Sequence, residues 1–178
     1  YERFREKQER MIERQLKGRG ITGEIVLSAF RKVSREAFVP GALRNQAYED
    51  RPLPIGYGQT ISQPYVVALM TETLGLTAKD RVLEVGTGSG YQTSILAELA
   101  KEVYSVEAVK ALYQSAQARL RAFGCRNVHL RHGDGRNGWP EAGPFTKVIV
   151  TAAGGEIPPA LVEQLAEGGR MILPIGSE

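Results

Sequence analysis

The residues best placed to do chemistry are the run Glu84-Val85-Gly86-Thr87-Gly88-Ser89-Gly90, then Glu107, then Gly133-Asp134-Gly135. The first run follows an apolar segment, Arg81–Val85, that reads as a strand, and it opens a segment from Tyr91 that reads as a helix. A glycine loop in that setting lets backbone approach a ligand closely. Gly86 and Gly88 remove the Cβ that would hold the ligand away. A dinucleotide loop has the form G-x-G-x-x-G and delivers a pyrophosphate to a helix N-terminus. Here the third glycine comes one residue early, and Glu84 stands two residues before the first. A carboxylate at that place opposes a pyrophosphate and suits a ligand with cationic or amine groups. Glu107 closes the next strand, where an acid accepts hydrogen bonds from ribose hydroxyls. Asp134 follows the third strand and can accept from the exocyclic amine of an adenine, although Asp-Gly is also an ordinary turn.

S-adenosyl-L-methionine carries a sulfonium, an ammonium, a ribose and an adenine, and so matches the three stations together. The stations lie in a part of the chain, residues 79–178, that alternates strand and helix. Strands are expected at Arg81–Val85, Val103–Val106, Val128–Arg131, Lys147–Thr151 and Arg170–Pro174. Helices are expected at Tyr91–Ala100, Lys110–Phe123 and Pro158–Ala166. Strict alternation with Val- and Ile-rich strands implies a mainly parallel sheet covered on both faces. Right-handed crossovers then make it a doubly wound, Rossmann-like α/β fold. Residues 1–78 read as an N-terminal helical extension packed on that core, within one structural domain. Its first helix places Phe4, Met11, Ile12 and Leu16 on one face and ends at Gly18 and Gly20. Thr22 is expected to cap a second helix carrying Ile25, Ala29 and Val33. The stretch Val39 to Pro64, rich in proline and glycine, reads as a long ordered loop.

Composition excludes several classes. The chain has 178 residues, 42% hydrophobic and 24% charged, which is globular. A net charge of +3, from 23 basic and 20 acidic residues, argues against a nucleic-acid partner. The charges of the first helix alternate in sign, as on a solvated face laced with ion pairs. No apolar run is long enough to span a membrane, so a cytoplasmic enzyme is expected. Cys125 is the lone cysteine, and His129 and His132 lie on opposite faces of one strand, so no metal site is expected. We expect a monomer.

Methyl transfer from a sulfonium is an in-line displacement in which the protein mainly positions the partners. A hydroxyl or amine acceptor often needs a base, whereas a carboxylate is already ionised at neutral pH. The sequence offers few bases, which is compatible with a carboxylate acceptor. Thr60, Ser62 and Gln63 stand before a helix that begins at Pro64, where free amides favour an anion. Ser62 could also serve simply as the cap of that helix.

The arrangement E-x-G-x-G-x-G, strand-ending Glu107 and Gly-Asp-Gly resembles the class I methyltransferases. The resemblance implies that Glu84, Gly86 and Gly88 hold the methionine part of the cofactor, Glu107 the ribose, and Asp134 and Gly135 the adenine. Along essentially its whole length the sequence further resembles the protein-L-isoaspartate O-methyltransferase family. Ala47-Tyr48-Glu49-Asp50, Pro52–Gly56, Gly58-Gln59-Thr60-Ile61-Ser62-Gln63-Pro64 and Leu83–Gln92 carry that likeness. It implies methylation of the free α-carboxyl of L-isoaspartyl residues in damaged proteins and peptides, giving an ester that collapses to a succinimide. Ser62 falls on the family's active-site serine, and Gln59, Thr60 and Ile61 fall on cofactor contacts.

Two departures accompany the likeness. Thr146 stands where the family usually has aspartate, with a modest effect expected, and family members continue past the turn at Gly176 into further sheet. A methyltransferase for another acceptor, an NAD-linked oxidoreductase and a module that binds cofactor without turnover are the alternatives. Asn137-Gly138 is a dipeptide prone to deamidation, so the chain could itself become a substrate.

Overall fold

The computed structural model describes residues 2–151 and 155–174. Helix α1 (Glu2–Met11) continues through a wider turn, Ile12–Leu16, and ends at Gly20, whose φ of 95° only glycine adopts readily. Helix α2 (Glu24–Lys32) follows. Its N-cap is Gly23 rather than Thr22, and the Gly23 N–H is taken by Glu72 Oε2 at 3.2 Å. The face of α2 that packs inward carries Leu27 and Phe30, while Ile25 is 72% exposed. Ala29 and Val33 are buried as expected, and only Ile25 of the expected face is not; Leu27 and Phe30 complete the inward face instead.

The long stretch 39–64 is more regular than a loop. After a short 3₁₀ turn (Gly41–Gln46) it forms a hairpin of β1 (Leu53–Gly56) and β2 (Gln59–Ile61). Leu53 pairs with Ile61, and both are buried, which anchors the hairpin. Its tip, Gly56-Tyr57-Gly58, has three consecutive positive φ angles. Helix α3 (Pro64–Leu74) then starts with proline in its first turn, where the missing N–H costs nothing.

The core is a five-stranded parallel sheet in the order β5-β4-β3-β6-β7. Its strands are β3 (Arg81–Val85), β4 (Glu102–Glu107), β5 (Val128–His132), β6 (Phe145–Val150) and β7 (Leu165–Ile172). Helices α4 (Tyr91–Leu99), α5 (Lys110–Ala122) and α6 (Pro159–Gln164) supply crossovers. Side chains alternate between faces as a strand requires. Val82, Val103 and Ile149 face Leu74 and Leu96, whereas Leu83, Val85, Val106 and Val148 face Leu161 and Phe145. The N-terminal helices share one apolar cluster with Tyr91, Ile95 and Leu99 of α4.

The last elements differ from expectation. Helix α6 stops at Gln164, and β7 begins at Leu165, well before Arg170. Between the pairs Phe145–Leu165 and Lys147–Arg170 the register shifts, with Gly168 at φ 76°. Glycines thus allow an early strand start and an irregular run that periodicity alone reads as helix. The turn expected at Gly176 lies outside the described residues. Thr146 Oγ1 accepts from the Arg81 N–H at 2.9 Å and donates to its carbonyl at 3.2 Å, so this position ties the bottom of β3 to β6, far from the glycine loop. No helix among the described residues is long and apolar enough to cross a membrane.

Candidate active site

The strand order reverses between β3 and its neighbours: the chain moves from β3 outward to β4 and β5, then returns to the other side with β6. A crevice opens above the carboxyl ends of strands at such a point. The glycine loop sits there. Gly86, Gly88 and Gly90 all have positive φ, at 98°, 56° and 90°. Gly90 has a packing reason as well, since a Cβ there would stand 3.4 Å from Leu120 on α5. The hairpin lies over the loop: a Cβ at Gly88 would meet Ile55 Cδ1 at 3.5 Å.

Between hairpin and loop is a cavity of about 430 Å³. One wall is Gly58 to Ser62 with Val67 and Met70, and the other is Gly86 to Ser89 with Tyr91 and Gln92. Glu107 and Thr151 complete the lining. The structure therefore brings together Gln59, Thr60, Ile61, Ser62, Gly86, Gly88 and Glu107 from three separate stretches of chain.

Glu107 is buried at the end of β4, and each carboxylate oxygen accepts one backbone N–H, from Gly88 at 2.7 Å and from Val109 at 2.8 Å. A carboxylate has about four acceptor positions, so capacity for hydroxyl donors remains. Ser62 does not cap α3. The N-cap is Gln63, without a side-chain bond, and Gln63 instead donates to Asp50 Oδ1 at 2.6 Å. Asp50 also takes the Arg19 guanidinium, and the two partners hold its pKa down at about 2. Its neighbour is fixed in this way, and Ser62, which is not the cap of α3, lines the cavity.

Glu84 is placed differently from a direct ligand contact. It is fully buried under the glycine loop, outside the lining of the cavity. Its Oε1 accepts from Thr93 and, at 2.6 Å, from Ser105, while Oε2 has no hydrogen-bond partner. Burial pushes its pKa up to about 7, against the hydrogen bonds from Ser105 and Thr93. Ser105 passes the network on to Thr87, at 2.6 Å, which does line the cavity.

Asp134 and Gly135 are likewise not in this cavity. Asp134 lines a second one, of about 680 Å³, with Val85, Val150 and Pro158 to Leu161. There Asp134 accepts the Arg136 N–H at 3.0 Å and its guanidinium at 2.8 Å, an exposed pair whose strength is modest. Gly135 has a steric reason, because a Cβ would overlap Val85 Cγ1. His129 and His132 lie outside both cavities; His129 Nε2 is 2.8 Å from Glu102 and His132 Nε2 is 3.1 Å from the Ala108 carbonyl.

Two further residues of the lining were not expected at the site. Thr151 follows β6 beside the glycine loop and donates to the Gly86 carbonyl at 2.7 Å. Gln92 on α4 donates to Thr71 on α3 at 3.0 Å, joining the two walls. Gln92 ends the stretch Leu83–Gln92 that carries the family likeness, whereas the only signal for Thr151 is its position after the strand adjacent to the glycine-loop strand.

A doubly wound sheet, an acidic glycine loop at the reversal of strand order and a carboxylate closing the next strand define a class I methyltransferase fold. The profile of the protein-L-isoaspartate(D-aspartate) O-methyltransferase family matches residues 6–178, and the chain belongs to that family. It is 56% identical over 177 residues to the protein-L-isoaspartate O-methyltransferase of Opitutus terrae, covering 99% of this chain and 76% of that one. With the enzyme of that name from Anaeromyxobacter dehalogenans, identity is 60% over 158 residues, 88% of this chain and 76% of the relative. Among solved structures, a protein-L-isoaspartate O-methyltransferase superposes with a TM-score of 0.87 at 33% identity; the match takes 94% of this chain and 55% of that longer one. A candidate of the same kind from Plasmodium falciparum, in complex with S-adenosyl-L-homocysteine, superposes with a TM-score of 0.81 at 27% identity, over 98% of this chain and 85% of that one.

Proposed function

We propose that this chain moves a methyl group from S-adenosyl-L-methionine to the free α-carboxyl of L-isoaspartyl residues in damaged proteins and peptides. The observation that carries the reading is the chemistry of the cavity wall. Among the described residues its lining holds no histidine, lysine, arginine or aspartate, and its one carboxylate, Glu107, is engaged by two backbone amides. A site with no free base suits an acceptor that needs none, and a carboxylate is such an acceptor.

The residues fit the methyl donor. Gly86 and Gly88 offer a Cβ-free cradle, Glu107 retains acceptor capacity for ribose hydroxyls, and Gln59 to Ile61 close over the loop. Glu84 supports the loop from beneath through Ser105 and Thr87, and Asp134, with Gly135 next to it in the chain, offers an edge for adenine in the neighbouring cavity that Asp134 lines. When bound, the donor supplies an electrophilic methyl on a cationic sulfur. The chain's part is to hold the acceptor in line with it. Ser62 orients one carboxylate oxygen by hydrogen bonding, and the hairpin excludes water above it. No residue needs to accept a proton. The relatives' shared name supports the acceptor assignment, and the S-adenosyl-L-homocysteine bound in the Plasmodium falciparum structure supports the methyl donor.

The proposal includes a monomer acting in the cytoplasm, which light scattering and cell fractionation check. The decisive test uses two peptides of one sequence, one with L-isoaspartate and one with normal aspartate. Base-labile label from labelled donor on the isoaspartyl peptide alone supports the reading. Equal label on both, or none on either, overturns it.

A further inference from the structure

The acceptor wall is tied down by a residue that no motif marks. Arg35 is fully buried between the N-terminal helices and the core. Its Nε donates to the Ala47 carbonyl at 2.6 Å, and its Nη2 donates to the Ser62 carbonyl at 2.9 Å. Its backbone N–H donates to the Tyr48 hydroxyl at 3.1 Å. Ala47 and Ser62 are the two ends of the segment that carries the hairpin and Gln59 to Ile61. One planar, rigid group therefore fixes both ends of that segment. The guanidinium carbon also lies 5.1 Å from the ring centroid of Tyr91, the first residue after the glycine loop. Arg35 thus joins the acceptor wall to the cofactor wall.

Its charge is the second observation. Burial pushes its pKa down, yet a guanidinium stays protonated at neutral pH. None of the ion pairs among the described residues includes it. Its Nη1 makes no hydrogen bond of normal geometry, and the buried Tyr91 hydroxyl, itself without one, is the polar group close enough to act on it. The neighbouring carboxylate, Glu36, is engaged by the Tyr48 hydroxyl. Folded proteins seldom keep a buried cation without an anion, because the desolvation is not repaid. The Ser62 residue whose carbonyl it holds lines the cavity, and that lining has no cation of its own yet, on the reading above, receives an anionic acceptor beside the methyl donor.

We propose that Arg35 is a positioning and specificity-determining residue of the acceptor site: it clamps both ends of the 47–62 segment and supplies, behind the Ser62 peptide, the positive charge that favours an anionic acceptor. This rests on the carboxyl-methylation reading. The placement suits the chemistry. A cation bonded directly to the attacking oxygen would draw off the electron density that attacks the methyl group. A cation held behind a peptide unit attracts the carboxylate while leaving both oxygens to Ser62 and the methyl donor.

The test compares Arg35→Met, which keeps the stem and removes the charge, with Arg35→Lys, which keeps the charge and loses the fork. For each, KM and kcat are measured with an isoaspartyl peptide, and the dissociation constant of S-adenosylhomocysteine is measured by calorimetry. In Arg35→Met the peptide KM rises about tenfold or more, as loss of one charge at short range through protein implies. S-adenosylhomocysteine binding weakens by clearly less than the peptide KM rises, because the clamp serves both walls and the charge serves the acceptor alone, and Arg35→Lys falls between parent and Arg35→Met. A general loosening without a charge effect would weaken both ligands by equal factors, since Tyr91 leads out of the glycine loop; that result, or an unchanged KM, overturns the inference.

Should neither variant fold, the parent protein labelled with ¹⁵N-arginine answers the same question. The buried Arg35 Nε–H resonance shifts on adding isoaspartyl peptide with S-adenosylhomocysteine, and not on adding the α-carboxamide. A resonance that ignores the carboxylate overturns the inference. A parent protein that methylates no isoaspartyl peptide overturns the functional reading and this inference with it, whereas a working parent with an indifferent Arg35→Met overturns the inference alone.

Discussion

Replacing Glu84 by glutamine should make the protein more stable at alkaline pH relative to the parent, by an amount the burial sets. Glu84 is fully buried with one oxygen unpartnered, and its pKa is raised from 4.5 to about 7. Loss of hydration is the leading cause, and nearby Glu107 adds to it. The folded state therefore holds this proton more tightly than the unfolded chain. Below pH 4.5 both states are protonated and nothing is lost. Stability falls as pH rises from there, and above pH 7 the full cost is present. A shift from 4.5 to about 7 corresponds to about 3 kcal/mol. Glutamine keeps a carbonyl for Thr93 and Ser105 and never ionises. Its amide would occupy the unpartnered position at a cost of about 1–3 kcal/mol that does not vary with pH. Urea unfolding of both proteins at pH 5 and pH 8 isolates the effect, because other titrating groups cancel in the difference. The stability of Glu84→Gln minus that of the parent should increase by roughly 2–3 kcal/mol between those pH values. A difference that stays constant within about 0.5 kcal/mol would refute the reasoning and mean that Glu84 titrates in the folded protein as it does in the unfolded chain.

Ser62→Ala should lower kcat/KM for an isoaspartyl peptide by about tenfold to a hundredfold, the worth of one orienting hydrogen bond, while calorimetry finds S-adenosylhomocysteine binding unchanged. Gly135→Ala should destabilise by about 1–3 kcal/mol in thermal unfolding, since its Cβ would overlap Val85 Cγ1 on a stiff, buried strand residue. It should also weaken cofactor binding, because the 134–135 turn must move away from β3. Deamidation at Asn137 requires the Gly138 nitrogen to attack the Asn137 side chain, but that N–H is bonded to the Gly135 carbonyl at 3.0 Å and Gln164 holds the Asn137 carbonyl at 2.9 Å. Peptide mapping of aged folded protein should therefore find little isoaspartate there and much more after ageing in denaturant; equal rates in the two states would show that the turn opens freely.

Much of the site was legible because its parts are local. The glycine loop needs positive φ at fixed places, and only glycine supplies it cheaply, so Gly86, Gly88 and Gly90 announce the turn in one dimension. Val-rich strands alternating with helices leave few topologies, and Pro64 marks the start of α3. The hairpin hidden in residues 53–61 was not legible, since its three- and four-residue strands are too short to show a period and its tip breaks backbone rules at Tyr57. Ile25 on α2 is a similar case: with Ala29 and Val33 buried as expected, Ile25 and Phe30 are both apolar, and only the partner surface chooses between them.

The sequence by itself determined the order of elements, the turns that need glycine, and the kinds of group offered to a ligand, because each depends on neighbours along the chain. Tertiary structure alone decided which groups share a cavity. It put Glu107 at the cavity wall and Glu84 beneath the loop, although both point to the same side of the sheet, because Glu107 stands two residues beyond Ser105, the β4 partner of Glu84, and so lies past the end of β3. It also brought Arg35 against Ser62, which lies 27 residues away. No local spacing encodes that contact; it exists because two ends of a loop and a helix all close on the one position that a buried guanidinium can bridge.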